Sequence, residues 1–165
     1  MMFETGRSVP VQVTVFMVTV WSLRLELQRA ADRYPRLMVT LSEIDDVHER
    51  LGKADTLPAY CHALAELGVV AYDSYVSDGR TVFRTSEGSD LDTGPNHELV
   101  AIAPNPDHAA VHDTLALAGA GELGYAEMSR LLGSAGLERW SVDTRRQVMT
   151  YIDVLGEAVL VEQLE

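Results

Sequence analysis

The chain has 165 residues, and 47% of them are hydrophobic, which suits one compact domain with a filled core. Its formal net charge of −12 disfavours nucleic-acid phosphates and anionic membrane surfaces as partners, and it lacks the run of about 20 apolar residues that a membrane-spanning helix requires. A single cysteine, Cys61, excludes an intrachain disulfide and agrees with the reducing cytoplasm, where we expect the protein.

The first 37 residues differ in charge from the rest of the chain. They hold five arginines, two glutamates and one aspartate, a balance of +2, which leaves −14 for residues 38–165. The apolar run Val9–Leu23 could be the core of a signal peptide, an added β-strand, or translated sequence upstream of a natural start at Met38. Polar residues interrupt it and no small-x-small cleavage site follows, so we favour the third interpretation. We expect residues 1–37 to be an extension and residues 38–165 to form a single domain.

Two helices are predicted after Met38. Thr40 and Glu43 have the spacing of a capping box, and apolar residues recur at positions 41, 44, 47 and 51. A second apolar stripe runs along Leu57–Gly68 at i, i+3, i+7 and i+10, and its final glycine suits a left-handed C-terminal cap.

Three strands are expected next. Apolar residues alternate in Val70–Val76, and the Asp78-Gly79 pair that follows is typical of a tight hairpin turn with a return strand from Thr81. The segment Ser86–His97 is predicted to be an acidic surface loop, and Glu98–Ala103 is predicted to be the third strand.

The same order of elements recurs at an offset of 68 residues. Asn105-Pro106 suits a helix start, Tyr125–Gly136 repeats the stripe and final glycine of the earlier helix, and Trp140 falls at the place of Tyr72. Glu157–Glu162 is the last predicted strand. The sequence therefore predicts an α+β fold of two pseudo-symmetric ααβββ repeats, residues 40–103 and 108–162, that share a sheet with helices covering a face.

Two blocks of the sequence resemble a known family. ALAELGVVAYDSYVSDGRTVFRT and the later GLERWSVDTRRQVMTYID resemble the YbcV-like family, also called domain of unknown function 1398, a group of small bacterial and prophage-borne proteins. The likeness runs from about Thr40 to Glu162 and is most specific at residues 75–79 and 140–143. It implies a fold and a size and transfers no catalytic residue. Arg80 follows the Asp-Gly turn where the resemblance leads us to expect histidine.

Histidine and cysteine residues invite site hypotheses, and each has a simpler interpretation. His108 and His112 lie four residues apart on one helix face, as two metal ligands would, but no third ligand follows at a fixed spacing. Cys61 and His62 are adjacent, and neighbouring helix side chains point about 100° apart, so they do not pair as nucleophile and base. We predict no metal site and no cofactor, with Cys61 in the core.

The strand pattern indicates one candidate surface. Tyr75 alternates to the face opposite Tyr72 and shares that face with Asp73, which makes it the aromatic residue most exposed by pattern. Together with Asp78 and Arg80 of the turn, these residues are predicted to form a ligand or partner surface.

The sequence identifies no catalytic residue and leaves three classes of function. We favour a non-enzymatic binding or interaction module of prophage or mobile-element origin, monomeric or homodimeric, with an unknown protein or small-molecule partner. A hydrolase-like enzyme with its site at the seam between the repeats and a structural phage-related component are the alternatives.

Overall fold

The computed structural model describes residues 38–164, and they form a six-stranded antiparallel sheet with four α-helices. The α+β class predicted from the sequence is confirmed. The predicted extension, residues 1–37, lies outside the described residues. The helices are α1 Leu41–Leu51, α2 Leu57–Glu66, α3 His108–Gly119 and α4 Tyr125–Ser134, and a short 3-10 turn covers Ala54–Thr56. The strands are β1 Val69–Tyr75, β2 Thr81–Thr85, β3 Asp90–Asp92, β4 Leu137–Asp143, β5 Val148–Asp153 and β6 Ala158–Gln163.

Local sequence signals fix the ends of the helices. The Thr40 hydroxyl accepts a hydrogen bond from the Glu43 backbone N–H, and the Glu43 carboxylate accepts one from the Thr40 N–H at 3.0 Å, so the predicted capping box forms. Gly136 follows α4 with φ +78°, and a Cβ there would stand 2.8 Å from the Pro106 Cα. Only glycine satisfies both the backbone conformation and this close approach.

The sheet has the strand order β3-β2-β1-β4-β5-β6, so β1 and β4 meet at its centre. Two helices followed by three strands occur twice along the chain. The β1–β2 and β4–β5 pairs share one register, each with an irregularity after its first residue pair, at Val69 and at Leu137. That the two halves superpose as repeats stays a prediction.

The third strand of the first half is not where the sequence predicted it. Residues 98–103 form no strand, whereas Asp90–Asp92, inside the predicted acidic loop, pairs with β2 and sets Leu91 opposite Phe83. The backbone N–H groups of Val100 and Ala103 bond instead to the carbonyls of Ser77 and Gly133, at 2.6 and 2.8 Å. The side chains of Val100 and Ile102 lie against α4 at Gly133, whereas Leu99 is 82% exposed, which accounts for the strand-like alternation of the segment.

The core consists of two clusters on the helix-covered face of the sheet. One joins α1 and α2 to the strands through residues such as Ile44, Leu64 and Tyr72, and the other joins α3 and α4 through Val111 and Leu132. The side chains that pack against both are Trp140 and Tyr151. None of the helices within residues 38–164 is long and apolar enough to cross a membrane.

Candidate ligand-binding site

A cavity of about 710 Å³ opens between the first helix pair, the centre of the sheet and the loop of residues 93–96. The inner wall of this cavity is aromatic, and we refer to the whole cavity as the aromatic cavity. Tyr60 comes from α2, Tyr72 from β1, Phe83 from β2 and Trp140 from β4. The first three are at most 5% exposed, so the apolar end of the cavity is well inside the domain.

The aromatic wall is held by ring contacts. The Tyr60 and Tyr72 rings meet edge to face with centroids 6.2 Å apart, and the Tyr72 and Phe83 centroids are 5.6 Å apart. Edge-to-face contact is a favoured arrangement for aromatic pairs, and these contacts hold the wall in place. Burial raises the pKa of Tyr60 and of Tyr72 well above the ordinary phenol value, so both side chains stay neutral phenols at physiological pH.

One polar pair interrupts the apolar wall. The Ser74 and Thr81 hydroxyl oxygens lie 2.9 Å apart across β1 and β2, and both residues line the cavity. One of the two O–H groups is used in this hydrogen bond, which leaves the second to donate to an acceptor in the cavity. The sheet side of the cavity therefore combines aromatic side chains with a pair of hydroxyl groups.

The rim is polar and solvent-exposed. Asp45, His48 and Lys53 lie on the side of the first helix pair, and Asn96 and Tyr125 lie opposite them. The Asn96 N–H donates to the Asp78 carbonyl at 2.8 Å, which ties this side of the rim to the β1–β2 turn. A guest would therefore enter past charged and amide groups before it reaches the aromatic wall.

Comparison with protein families places the chain. The sequence matches the family described as "Protein of unknown function (DUF1398)" over residues 45–163. The chain belongs to this family. Among curated proteins, none is significantly similar to it. In this DUF1398 protein the matched region contains every residue that lines the aromatic cavity except Ile44.

Cys61 lies behind the aromatic wall of the DUF1398 protein and does not line the cavity. It is fully buried in the core, as the sequence predicted, and burial raises its pKa to about 11. A thiol that stays protonated near neutral pH and has no access to solvent is a packing residue rather than a nucleophile.

His108 has a structural partner far away in sequence. Its Nε2 lies 2.8 Å from Oδ2 of Asp153, whose side chain is fully buried at the end of β5. Oδ1 of Asp153 accepts the N–H groups of Leu155 and Glu157, both at 2.9 Å. Burial alone would raise the pKa of Asp153, but the bonds from His108 and these backbone groups outweigh it, and the pKa is lowered. No group of three or more metal-ligating side chains occurs in the described part of the chain.

Three of the four residues predicted to form a surface lie together at the β1–β2 turn. The Arg80 guanidinium carbon stands 4.4 Å from the centre of the Tyr75 ring, and Arg80 Nε is 3.8 Å from Asp78. Asp73 is 3% exposed and pairs with the Arg84 guanidinium on the same side of the sheet. None of the four residues lines the aromatic cavity. That they bind a ligand or partner stays a prediction.

Sequence reasoning did not identify the cavity. Aromatic strand residues such as Tyr72, Phe83 and Trp140 are typical of a core by pattern, and all three do touch the core clusters. One residue could have indicated the cavity. Ser74 is polar, yet its alternation with Tyr72 places it on the helix-covered face of the sheet. A hydroxyl on the buried face of a strand needs a partner, and here the partner is Thr81.

Proposed function

We propose that this protein is a non-enzymatic binding module that holds a small planar organic ligand in the aromatic cavity. The observation that carries the proposal is the inner wall itself, with its four aromatic side chains and the Ser74–Thr81 hydroxyl pair. Small-molecule sites are concave and combine apolar surface with polar groups that orient the ligand, and this cavity pairs an aromatic inner wall with a polar rim.

The chemistry of the wall supports binding rather than catalysis. A general acid or base works best with a pKa near the working pH, whereas burial keeps the Tyr60 and Tyr72 phenols protonated. The histidine among the lining residues, His48, is exposed at the rim and its ring packs 5.5 Å from that of Tyr60. The wall is thus suited to hold an aromatic guest without reacting with it.

A hydrolase-like enzyme with a site at the seam between the halves is the second candidate. The position of the cavity favours it, because Tyr125 and Trp140 of the second half line it together with residues of the first. In that case Asp45 and His48 at the rim would be the candidate acid and base. Cytoplasmic location and a prophage or mobile-element origin remain our proposals for the setting, and a structural phage-related component is the third candidate.

Binding can be tested by a thermal-shift screen that compares planar aromatic compounds with aliphatic compounds of similar size. A ligand that binds only the folded state at 100 times its Kd raises the free energy of unfolding by about 2.7 kcal/mol. We expect aromatic compounds to raise the melting temperature and to quench Trp140 fluorescence, and aliphatic compounds to do neither.

A pair of matched variants locates the binding. Ser74→Leu fills the cavity from β1, whereas Ser141→Leu places the same side chain on the strand β4, opposite Asp73 and away from the cavity. Ligand stabilisation should be lost in the first variant and kept in the second, with circular dichroism confirming that both fold. Equal binding by both variants would contradict the assignment of the cavity.

A further inference from the structure

His97 lies just behind the wall of the aromatic cavity, next to the lining residue Asn96. Its Nδ1 is 2.7 Å from the backbone carbonyl oxygen of Glu98. A carbonyl oxygen only accepts hydrogen bonds, so in this contact Nδ1 carries the hydrogen. In the neutral ring Nε2 is then an acceptor with a bare lone pair.

That acceptor is buried without a partner. Within residues 38–164, no donor lies in hydrogen-bonding reach of Nε2, although the atom is inaccessible to solvent. Buried polar atoms in native proteins are nearly always paired, so this unpartnered acceptor next to lining residues of the cavity indicates where a polar ligand group belongs.

The wall between Nε2 and the cavity is thin at Gly79. A Cβ built on this glycine would lie 2.6 Å from Cδ2 and 2.9 Å from Nε2 of His97, so a side chain here would collide with the imidazole, and only glycine lets the ring lie this close to the cavity. Gly79 lines the cavity with φ +71°, so the turn itself keeps a side chain away from this position. The other neighbour is Tyr125, whose ring centroid is 5.8 Å from that of His97 and whose side chain is 47% exposed. For a ligand in the cavity to reach Nε2, this half-exposed ring must turn aside.

We propose that the ligand of the aromatic cavity carries an O–H or N–H group on the edge of an aromatic ring and donates it to His97 Nε2 past Gly79 and Tyr125. This inference rests on the proposed function and specifies its ligand class: neutral phenols and N–H heteroaromatic compounds. The ring stacks on the wall of Tyr60, Tyr72 and Trp140, and the donor satisfies the buried acceptor. A carboxylate ligand fits poorly here, since Nε2 is itself an acceptor and Asp78 acts on the neighbouring Tyr125 hydroxyl.

Two probes of nearly equal shape separate the proposed donor contact to His97 from binding in the aromatic cavity as such. 2-Naphthol and 2-methylnaphthalene differ by a hydroxyl in place of a methyl, so the ratio of their Kd values reports the donor. Comparing that ratio between variants cancels the hydration of the free probes. We expect His97→Phe to weaken the binding of 2-naphthol relative to 2-methylnaphthalene by at least about tenfold. His97→Gln keeps an acceptor and should restore most of the preference for 2-naphthol. His62→Phe, at an exposed position on α2, is the matched control and should leave the ratio unchanged.

A measurement on the unaltered chain covers the case in which His97→Phe fails to fold. Long-range ¹H–¹⁵N spectra of the imidazole should show Nε2 as an unbonded acceptor in the free protein and as a bonded one with 2-naphthol, but not with 2-methylnaphthalene. If neither probe binds, the proposed function fails. If both probes bind and His97→Phe leaves the ratio of their Kd values unchanged, the donor inference is wrong and the binding function stands. The same conclusion holds if that variant does not fold and 2-naphthol causes no change at Nε2 in the unaltered chain. An Nε2 already bonded before a probe is added would show that a buried water satisfies it, which also overturns the inference.

Discussion

The two hairpins of the sheet follow one register and carry opposite chemistry on the helix-covered face. Ser74 pairs with Thr81 between β1 and β2, and 68 residues later Val142 pairs with Met149 between β4 and β5. The first pair consists of two bonded hydroxyls at the cavity, whereas the second is apolar and belongs to a core cluster. The two side chains at this register position thus distinguish the two hairpins: one pair forms part of the cavity wall, and the other is packed in the core.

The turns after β2 and β5 also differ in polarity, but here the more polar side chain is in the second half. Thr85 accepts the Ser89 N–H at 3.2 Å with a neutral hydroxyl, whereas the equivalent Asp153 accepts two backbone N–H groups at 2.9 Å with a carboxylate and also binds His108. Polar side chains thus line a cavity in the first half, whereas in the second half they anchor the turn after β5. The predictions that follow test this contrast, from the largest expected effect to the smallest.

Replacing the anchoring carboxylate should have the largest effect. Asp153→Ala leaves two backbone N–H groups and the His108 ring without the buried carboxylate that accepts their hydrogen bonds, and we expect it to lower the free energy of unfolding by about 3 kcal/mol. Thr85→Ala, the matched change in the first half, removes a neutral hydroxyl and should cost about 1 kcal/mol. Urea denaturation of both variants measures the difference, and equal losses would refute the proposed contrast.

The same carboxylate should make stability depend on pH. Because the pKa of Asp153 is lower in the folded chain than in the unfolded one, its contribution is complete above the unfolded value and is lost as the pH falls through the folded value. We therefore expect the stability advantage of the natural chain over Asp153→Asn to shrink as the pH falls from about 5 to below about 4. Denaturation midpoints of both proteins across this range measure it, and an advantage that grew on acidification would have the wrong sign.

Giving the first hairpin the residues of the second should close the cavity at little cost in stability. The double variant Ser74→Val with Thr81→Met removes both hydroxyls together, so neither is left unpaired, and adds apolar volume to the wall. We expect the free energy of unfolding to change by no more than about 1 kcal/mol, while stabilisation by aromatic ligands disappears. Retained ligand stabilisation in a folded double variant would mean that the contrast between the hairpins does not determine binding.

The outer face of the first hairpin should give the smallest effect. Tyr75 and Arg80 stack there, whereas the equivalent residues of the second hairpin are Asp143 and Val148. Because Arg80 is partly exposed, Arg80→Ala should lower stability by less than about 1 kcal/mol and leave ligand binding in the cavity unchanged. A loss of ligand binding in this variant would instead connect the two faces of the sheet.

Much of the scaffold could be predicted from the sequence because its signals are local. The capping box of Thr40 and Glu43, the glycine after each second helix and the Asp78-Gly79 turn act within a few residues of themselves, and the structure has each of them. The strand β3 could not be predicted in this way. Asp90 and Asp92 are poor strand formers, and the short strand forms because Leu91 meets Phe83 across the sheet.

The site depends on contacts that join distant parts of the chain. His108 and Asp153 are 45 residues apart, so no local spacing indicates their pairing. The aromatic wall takes Tyr60 from a helix and Trp140 from the central strand of the second half, and the gap between them exists because two helix pairs cover the sheet without filling it. Local propensity and alternation determined which residues are helical, extended or turned inward. Only tertiary packing decided which of the inward-facing residues pack in the core and which line a cavity, because that depends on volumes contributed by segments far apart in sequence.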